Sequence, residues 1–209
     1  MNRTSSKLLA ALALTLGLSA LGCESGGVGD PCIPEDEYKQ NFNGFQASEV
    51  NIESKSFQCE TRVCIVNHFQ GRVSCPYGQT VDQMNTLDPT DKARCRIPGT
   101  DGDTLASDNS NVDEITVPVD PQLVKRNADN TVYCSCRCKG PDPNARYCEC
   151  PSGYECAELV RELGLPGRAQ LAGSYCVKAG TVYNPQSLDP ETCDPVRSQD
   201  GCGPNGENP

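Results

Sequence analysis

Short runs of alternating apolar and polar residues predict several brief β-strands in the first half of the chain. Residues 50–52 alternate, and so do residues 62–66 and 69–75. Side chains two apart on a strand lie on the same face, so each run would place its apolar residues on one side of a sheet. Asn67-His68 and Gly71 are turn-forming residues, and we expect 62–66 and 69–75 to form a hairpin.

The same alternation predicts strands in the second half. Residues 131–138 and 146–150 flank a strong turn signal at 139–144, which favours a second hairpin. In that hairpin a register that pairs residue 138 with residue 148 also pairs 136 with 150, although sequence alone leaves disulfide connectivity open. Three further strands are predicted, at 114–119, 174–178 and 181–183.

One segment has the periodicity of a helix. Apolar residues in 155–163 recur at i, i+3, i+4 and i+7, which is the spacing of one helix face, and Gly164 and Pro166 follow as terminating residues. The apolar positions are Cys156, Leu159, Val160 and Leu163. We therefore expect one short helix at about 155–163.

The N-terminus has the pattern of an export signal. Arg3 and Lys7 precede a 14-residue apolar stretch at 8–21, and Cys23 follows almost at once. A membrane-spanning helix needs about 20 apolar residues, so this stretch is typical of a secretory signal peptide instead. We expect residues 1–22 to be removed on export.

The end of this leader, Ala20-Leu21-Gly22-Cys23, resembles the lipobox of bacterial lipoproteins. In that family a small residue precedes a cysteine that is lipidated and becomes the new N-terminus. The chain departs from the pattern in having Ala20 where leucine is usual. The resemblance implies an acyl (palmitate-type) anchor on Cys23, whereas Ala20 and Gly22 would also suit an ordinary signal peptidase and plain secretion.

Cysteine parity favours the lipidated form. The chain has 15 cysteines, and taking Cys23 as the lipid carrier leaves 14, an even number. An odd thiol is a liability in an oxidising compartment, so an even remainder agrees with complete disulfide pairing. The cysteines predicted to form disulfides are Cys32, Cys59, Cys64, Cys75, Cys95, Cys134, Cys136, Cys138, Cys148, Cys150, Cys156, Cys176, Cys193 and Cys202.

The composition requires such cross-links. Removal of the leader leaves 187 residues and changes the formal charge from −10 to −12, because the leader has two basic residues and no acidic one. Only 32 of the 187 are Leu, Ile, Val or Phe, and none is Trp, a composition that by itself favours disorder. Seven disulfides would each contribute roughly 2–4 kcal/mol. The predicted fold is small, disulfide-rich and mainly β, with irregular loops and the one short helix.

Cysteine spacing divides the exported chain. The predicted segments are a flexible lipid-anchored tether at 23–30, a cysteine-rich β module at 31–98, an acidic linker at 99–130, a cysteine-rich hairpin and helix module at 131–183, and a loop-rich tail at 184–209. The modules contain five and seven cysteines and the tail two, so at least one disulfide must leave each module. We expect the two modules to form one covalently joined unit.

The Asp- and Asn-rich linker at 99–130 has the composition of a calcium loop but not the spacing. An EF-hand loop needs oxygen ligands at its first, third and fifth positions. The fifth position is Leu105 when counted from Asp101 and Val112 when counted from Asp108. A solvated linker is therefore the better interpretation.

The segment Cys148-Glu149-Cys150-Pro151-Ser152-Gly153-Tyr154 resembles the C-terminal half of an epidermal-growth-factor-like repeat, Cys-x-Cys-x-x-Gly-aromatic. The likeness covers under a tenth of the chain, and Cys156 follows the aromatic residue sooner than in that family. It implies a turn between disulfide-bonded segments and does not extend to the fold.

The cysteines at 134–156 also allow a metal-thiolate site or a thiol-redox site. Against a zinc cage, the usual ligand spacing is Cys-x₂₋₄-Cys, and exported thiols oxidise. Against redox catalysis, the chain lacks a Cys-x-x-Cys motif within a thioredoxin-like pattern. Metal-thiolate binding or thiol-redox chemistry by these cysteines is kept as the alternative function.

Other chemistry has little support in the sequence. His68 is the sole histidine and falls in a predicted turn, and motifs such as Gly-x-Ser-x-Gly and His-Glu-x-x-His do not occur. The acidic charge excludes nucleic acid as a favoured partner. No enzyme activity, catalytic residue, metal or cofactor is predicted.

The sequence therefore predicts an exported, non-enzymatic protein that is attached to the cell envelope by a lipid on Cys23. We expect it at the outer membrane, on the periplasmic or surface face, in a binding or structural role. Its partners would be the membrane, through the lipid, and an envelope or extracellular protein or glycan. A protease-inhibitor-like scaffold, with one rigid exposed loop between two disulfides, is a further alternative.

Overall fold

Two three-stranded antiparallel sheets form the framework of the protein. The structure is a computed structural model and describes residues 26–86, 95–100, 113–162, 171–197, 199 and 201–202. The strands are β1 (Val50–Glu53), β2 (Val63–Asn67), β3 (Val132–Ser135), β4 (Arg137–Lys139), β5 (Tyr154–Val160) and β6 (Gly173–Lys178). The first sheet has the order β1–β2–β3 and the second β4–β6–β5. With seven disulfides, this confirms the predicted disulfide-rich, mainly β class.

Helical structure is limited to short segments in the described residues. They are α1 (Val81–Thr86), α2 (Ala128–Thr131) and the 3₁₀ turns Glu35–Tyr38, Val124–Arg126 and Pro185–Ser187. None of these is long and apolar enough to cross a membrane.

The first sheet is buried on both faces because its central strand is apolar at successive positions. On β2, Cys64 and Val66 point into a core that contains Phe45 and Phe69. Ile65, on the opposite face, packs with residues of the second sheet. The pattern of alternating faces is that expected of an extended strand.

The second sheet packs on the first through one face only. Tyr175 and Val177 of β6 join Ile65 and Tyr133 in a shared apolar cluster. Cys176 lies between them in sequence and therefore faces the other way. The outer face carries disulfide-bonded cysteines. The chain passes from β3, in the first sheet, to β4, in the second, through a single residue, Cys136.

The helix predicted at 155–163 is wrong, because this segment is the strand β5. It pairs along most of its length with β6, and Cys156 lies directly opposite Cys176. A disulfide from Cys156 to Cys138 holds it in place as well. Helix propensity is a weak preference, and the ladder and the disulfide override it. Leu163 lies outside the described residues.

Both predicted hairpins are also wrong in their pairing. β2 pairs with β1 and, over a long sequence distance, with β3, whereas residues 69–75 form turns and isolated bridges. Residues 146–150 and 181–183 are not strands either. The strands predicted at 50–52, 62–66 and 174–178 are confirmed as β1, β2 and β6.

The end of the predicted tether is part of the fold. The Gly26 N–H donates to the Gln58 carbonyl (2.8 Å), and the Glu60 N–H donates to the Gly26 carbonyl (2.8 Å). Gly29 has a φ of +102° and donates its N–H to the Cys134 carbonyl (2.8 Å). Residues 26–30 are therefore hydrogen-bonded to both cysteine-rich segments and do not form a flexible tether.

The second half of the predicted linker is packed too. Ile115 and Val119 form a small core with the Cys75–Cys95 disulfide, and the predicted edge strand there is reduced to isolated bridges. The fully buried Gln122 side chain donates to the Arg72 carbonyl (2.7 Å) and accepts the Ala128 N–H (3.1 Å). The prediction of a solvated linker is therefore wrong for residues 113–130. Residues 101–112 lie outside the described residues.

The tail lies against this packed segment. The N–H of Cys193 donates to the Gln122 carbonyl (2.8 Å), and the N–H of Val124 donates to the Glu191 carbonyl (2.8 Å). A disulfide joins Cys193 to Cys202 and closes a surface loop. The tail is thus irregular, as predicted, but residues 188–202 are tied to the fold where they are described.

Candidate functional site

All fourteen cysteines from Cys32 to Cys202 are paired. The disulfides are Cys32–Cys64, Cys59–Cys134, Cys75–Cys95, Cys136–Cys148, Cys138–Cys156, Cys150–Cys176 and Cys193–Cys202. The bridge between Cys59 and Cys134 joins the first cysteine-rich segment to the second, which is the kind of link that cysteine parity requires. The pairings 138–148 and 136–150 considered for a hairpin do not occur.

The three disulfides of the second sheet form a compact sulfur cluster. The Sγ atom of Cys176 lies 3.7 Å from that of Cys136 and 3.8 Å from that of Cys148. Sulfur atoms of Cys138, Cys150 and Cys156 also lie within 4.8 Å of one another. Each strand of the second sheet therefore contributes at least one cysteine to a single covalent network.

This sulfur cluster defines what the predicted cysteine site can do chemically. Metal binding and disulfide exchange both need a thiolate, and every sulfur in the cluster is bonded to another sulfur. A metal-thiolate or thiol-redox function would therefore require prior reduction of these bridges. In the oxidised state Cys138–Cys156 cross-links β4 to β5, and Cys150–Cys176 cross-links β6 to the loop before β5.

The residue with the clearest predicted role, Cys23, lies outside the described residues. Its chemistry is nevertheless constrained by the rest of the chain, because the other fourteen cysteines pair among themselves. No thiol in the described part of the molecule is left over to form a disulfide with Cys23.

The described chain begins beside the loop that connects β1 to β2, residues 54–62, which we call the entry loop. Its backbone holds Gly26 through Gln58 and Glu60. The disulfide from Cys59 to Cys134 fixes the loop to β3. The N–H of Ser56 donates to the Arg62 carbonyl (3.1 Å), so a hydrogen bond also connects the two ends of the loop.

An exposed aromatic ring stands on the entry loop. Phe57 is 81% exposed, more than any other aromatic residue in the described structure. The guanidinium of Arg62 lies over its ring at 4.4 Å from the centroid, in a cation–π arrangement. Sequence analysis missed this pair. The available signal was a phenylalanine flanked by polar and charged residues in a segment without apolar alternation.

The opposite end of the first sheet carries the sole histidine. The His68 ring stacks on Tyr183 at 3.7 Å between centroids, and its Nδ1 donates to the Ala47 carbonyl (3.0 Å). Burial lowers the pKa of the imidazole from its ordinary 6.5, the hydrogen bond to Ala47 raises it, and the cation of Arg126 lowers it. Arg126 itself donates to the His68 carbonyl (2.8 Å). His68 therefore joins two segments of the fold at the position predicted as a turn.

A buried ion pair also escaped sequence analysis. The side chains of Glu37 and Arg72 are completely buried, and Arg72 Nε donates to Glu37 Oε2 at 3.3 Å. Arg72 donates further to the carbonyls of Glu37, Lys39 and Phe42. Glu37 accepts from the Val73 N–H (2.7 Å) and the Ser74 hydroxyl (2.8 Å).

The ion pair between Glu37 and Arg72 connects two segments of the fold. Burial raises the pKa of Glu37 above its ordinary 4.5, against the lowering effect of Arg72 and of the hydrogen bonds that the carboxylate accepts. Every hydrogen bond named above links the 3₁₀ turn Glu35–Tyr38 and its flank to residues 72–74. The pair therefore fastens two irregular segments where neither forms a sheet.

The turn implied by the growth-factor-like segment is present. Tyr154 donates its N–H to the Pro151 carbonyl (3.1 Å), and Gly153 has a φ of +86°, which favours glycine. Cys150 before the turn and Cys156 after it bond to Cys176 and Cys138. The local likeness therefore corresponds to a turn between two disulfides.

Comparison with known proteins gives no match to this chain, whether against protein-family models, curated proteins or solved structures. The seven disulfides indicate a disulfide-stabilised, extracellular-type protein of an oxidising, exported environment.

Proposed function

We propose that the mature protein is a lipid-anchored component of the bacterial cell envelope with a binding or structural, non-catalytic role. The observation that carries this proposal is the complete pairing of the other fourteen cysteines among themselves. An unpaired thiol is a liability in the compartment that forms disulfides. A thioether bond to lipid at Cys23 removes that liability, in agreement with the lipobox-like end of the leader.

The anchor and the fold suit one another physically. The mature chain carries a formal charge of −12, so attraction to anionic lipid headgroups would not hold it at a membrane. Two or more acyl chains give stable anchoring without such attraction. A scaffold cross-linked by seven disulfides keeps its surface loops in place outside the cell, and those loops would contact an envelope or extracellular protein or glycan at the outer membrane.

The decisive experiment is the intact mass of protein purified from the envelope, before and after reduction and alkylation. We expect an N-terminal Cys23 that carries acyl chains, and alkylation of 14 thiols only after reduction. The matched variant C23S is expected to lose the acyl mass and to move from the membrane fraction to the soluble fraction. An alkylated, unacylated Cys23 in the wild-type protein would overturn the anchor.

The same measurement tests the alternative use of the cysteines. Labelling of residues 134–156 without reduction, or zinc in the native mass, would contradict a purely structural network. Either result would move the function to metal-thiolate binding or thiol-redox chemistry.

A further inference from the structure

We infer that the entry loop, residues 54–62, lies on the phospholipid bilayer with the Phe57 ring inserted at the boundary between headgroups and acyl chains. This inference rests on the proposed function, because it needs the lipid on Cys23. It adds a second membrane contact, made by the folded domain itself.

Chain length brings the entry loop to the membrane. Gly26 is hydrogen-bonded to the backbone of Gln58 and Glu60, the residues on either side of Cys59. Cys23 precedes Gly26 by three residues, and three fully extended residues span at most about 11 Å. A lipid on Cys23 therefore holds Gly26 and the entry loop close to the bilayer surface, within about the 11 Å that these three residues can span.

The entry loop has the chemistry of an interfacial contact. Phe57 presents its ring to solvent with 81% of the residue exposed, and the guanidinium of Arg62 lies over one face of it. An aromatic ring beside a long cationic side chain can insert while the charge stays at headgroup level. Arg62 has a φ of +64° and donates its N–H to the Cys59 carbonyl (2.9 Å), so the loop holds this arrangement without a ligand.

The charge of the loop is compatible with phospholipid despite the acidity of the chain. Within residues 54–62, Lys55 and Arg62 are basic and Glu60 is acidic, a net charge of +1. The exposed Asp30 and the sequence neighbour of Cys23, Glu24, contribute two negative charges, so the residues around the lipid and the entry loop carry a formal charge of −1. A nearly neutral patch suits a zwitterionic bilayer, whereas the mature chain as a whole has a charge of −12.

The opposite end of the first sheet provides a matched control. The entry loop precedes Val63 at the start of β2, while Arg126 binds the carbonyls of Asn67 and His68 at the end of β2. These two ends are about 13 Å apart along the strand. The loop closed by Cys193–Cys202 packs on the Arg126 side, where Gly201 lies against Asn127. It bears Val196, which is 90% exposed.

The absence of tryptophan from the chain gives a direct test. The variants F57W and V196W each place one tryptophan on an exposed position. Both are prepared as the full, acylated protein and reconstituted into phosphatidylcholine vesicles. We expect the fluorescence of F57W to shift to shorter wavelength and to be quenched severalfold by brominated phosphatidylcholine, and the fluorescence of V196W to remain that of a solvent-exposed indole.

The outcomes separate this inference from the anchor. If the acylated protein does not sediment with vesicles, the proposed function fails and the inference with it. If it sediments but F57W is quenched no more than V196W, the inference alone is overturned. The same conclusion follows if F57W is shielded in native envelopes but not in protein-free vesicles, because Phe57 would then contact a protein partner.

Discussion

The two sheets of this protein differ in how much apolar side-chain burial stabilises them. The first sheet has a buried central strand, with apolar side chains of β2 on both faces. In the second sheet β5 has no buried residue. One disulfide joins β4 to β5, a second joins β6 to the loop before β5, and a third joins that loop to Cys136. Two disulfides, Cys32–Cys64 and Cys59–Cys134, also lie in the core of the first sheet, so the sheets differ in how much apolar burial accompanies the covalent bonds.

The distribution follows from the supply of apolar residues. A chain poor in Leu, Ile and Phe cannot cover two sheets on both faces, and cross-links then limit the entropy of the unfolded chain instead. The apolar residues are concentrated on β2, β3 and the inner face of β6. Disulfides occupy the outer face of the second sheet, where Cys136 and Cys176 are buried and Cys156 is exposed.

The largest effect is expected from the buried ion pair of the first region. In R72M, Glu37 and three backbone carbonyls lose their buried donor, and the free energy of unfolding should fall by about 3–5 kcal/mol. The measurement is denaturant unfolding with the disulfides intact. R197A is the control, since Arg197 pairs with Glu191 at the surface (3.0 Å, 63% and 47% exposed) and should cost about 1 kcal/mol or less.

The variant E37Q/R72M tests the reason for that loss. If an unpaired buried carboxylate is the main cost, the double variant should be more stable than R72M alone. Equal stability of the two would mean that the lost donors to the carbonyls of Glu37, Lys39 and Phe42 account for the effect.

A slightly smaller effect is expected from a bridge of the second region. In C150A/C176A, loss of a bridge that spans 26 residues should lower the free energy of unfolding by about 3.5 kcal/mol. The double variant leaves no free thiol. Hydrogen exchange should show amides of β5 and β6 losing protection while those of β2 keep theirs.

Two results would weaken the comparison between the sheets. Equal loss of protection in β2 and β6 would show that the sheets unfold as one unit. The control C193A/C202A removes a bridge that spans 9 residues and should cost about 2.7 kcal/mol on the same loop-entropy argument. A larger loss there than in C150A/C176A would contradict that argument.

Sequence patterns predicted best what depends on neighbouring residues. β1, β2 and β6 were found because their apolar residues are close together in sequence and face a core. The helix at 155–163 was wrong because its apolar spacing suits a helix equally well, and the bonds from Cys156 that decide the matter connect to residues far away in sequence. Disulfide connectivity could not be predicted for the same reason.

The missed features are polar groups buried by long-range hydrogen bonds. Glu37 and Arg72 are 35 residues apart, and nothing in either local sequence marks them as buried. Gln122 similarly belongs to a segment whose composition predicts a solvated linker. Its side-chain amide hydrogen-bonds to the backbone of Arg72 and Ala128. These bonds exist only in the folded state, and they offset the cost of burying a polar group. The export signal at 1–22, in contrast, is predicted from local sequence alone, and it stays a prediction because these residues lie outside the described structure.

An intermediate effect is expected at the contact between the sheets. Tyr133 of β3 is buried, and its hydroxyl oxygen accepts the N–H of Lys178 on β6 (2.7 Å). In Y133F that N–H loses its acceptor, and thermal unfolding should show a loss of about 1–3 kcal/mol. Y147F is the control because the Tyr147 hydroxyl donates to the Asp142 carbonyl at the surface (2.7 Å), and it should change stability by less than about 0.5 kcal/mol. Equal losses would show that the hydrogen bond between Tyr133 and Lys178 adds no stability to the contact between the sheets.

The smallest effect is a pH dependence at the other junction of the two regions, the stack of His68 on Tyr183. Because burial lowers the pKa of His68 in the folded protein, the neutral ring stabilises the fold above about pH 6.5, the value in unfolded chains. That contribution is lost as pH falls through the lowered pKa.

The chain has one histidine, so NMR should show a single imidazole that titrates below 6.5. Unfolding at pH 7 and pH 5.5 should differ more for wild type than for H68N, since asparagine tolerates the φ of +52° at this position. An equal difference would place the pH dependence in the carboxylates and show that protonation of His68 does not change stability.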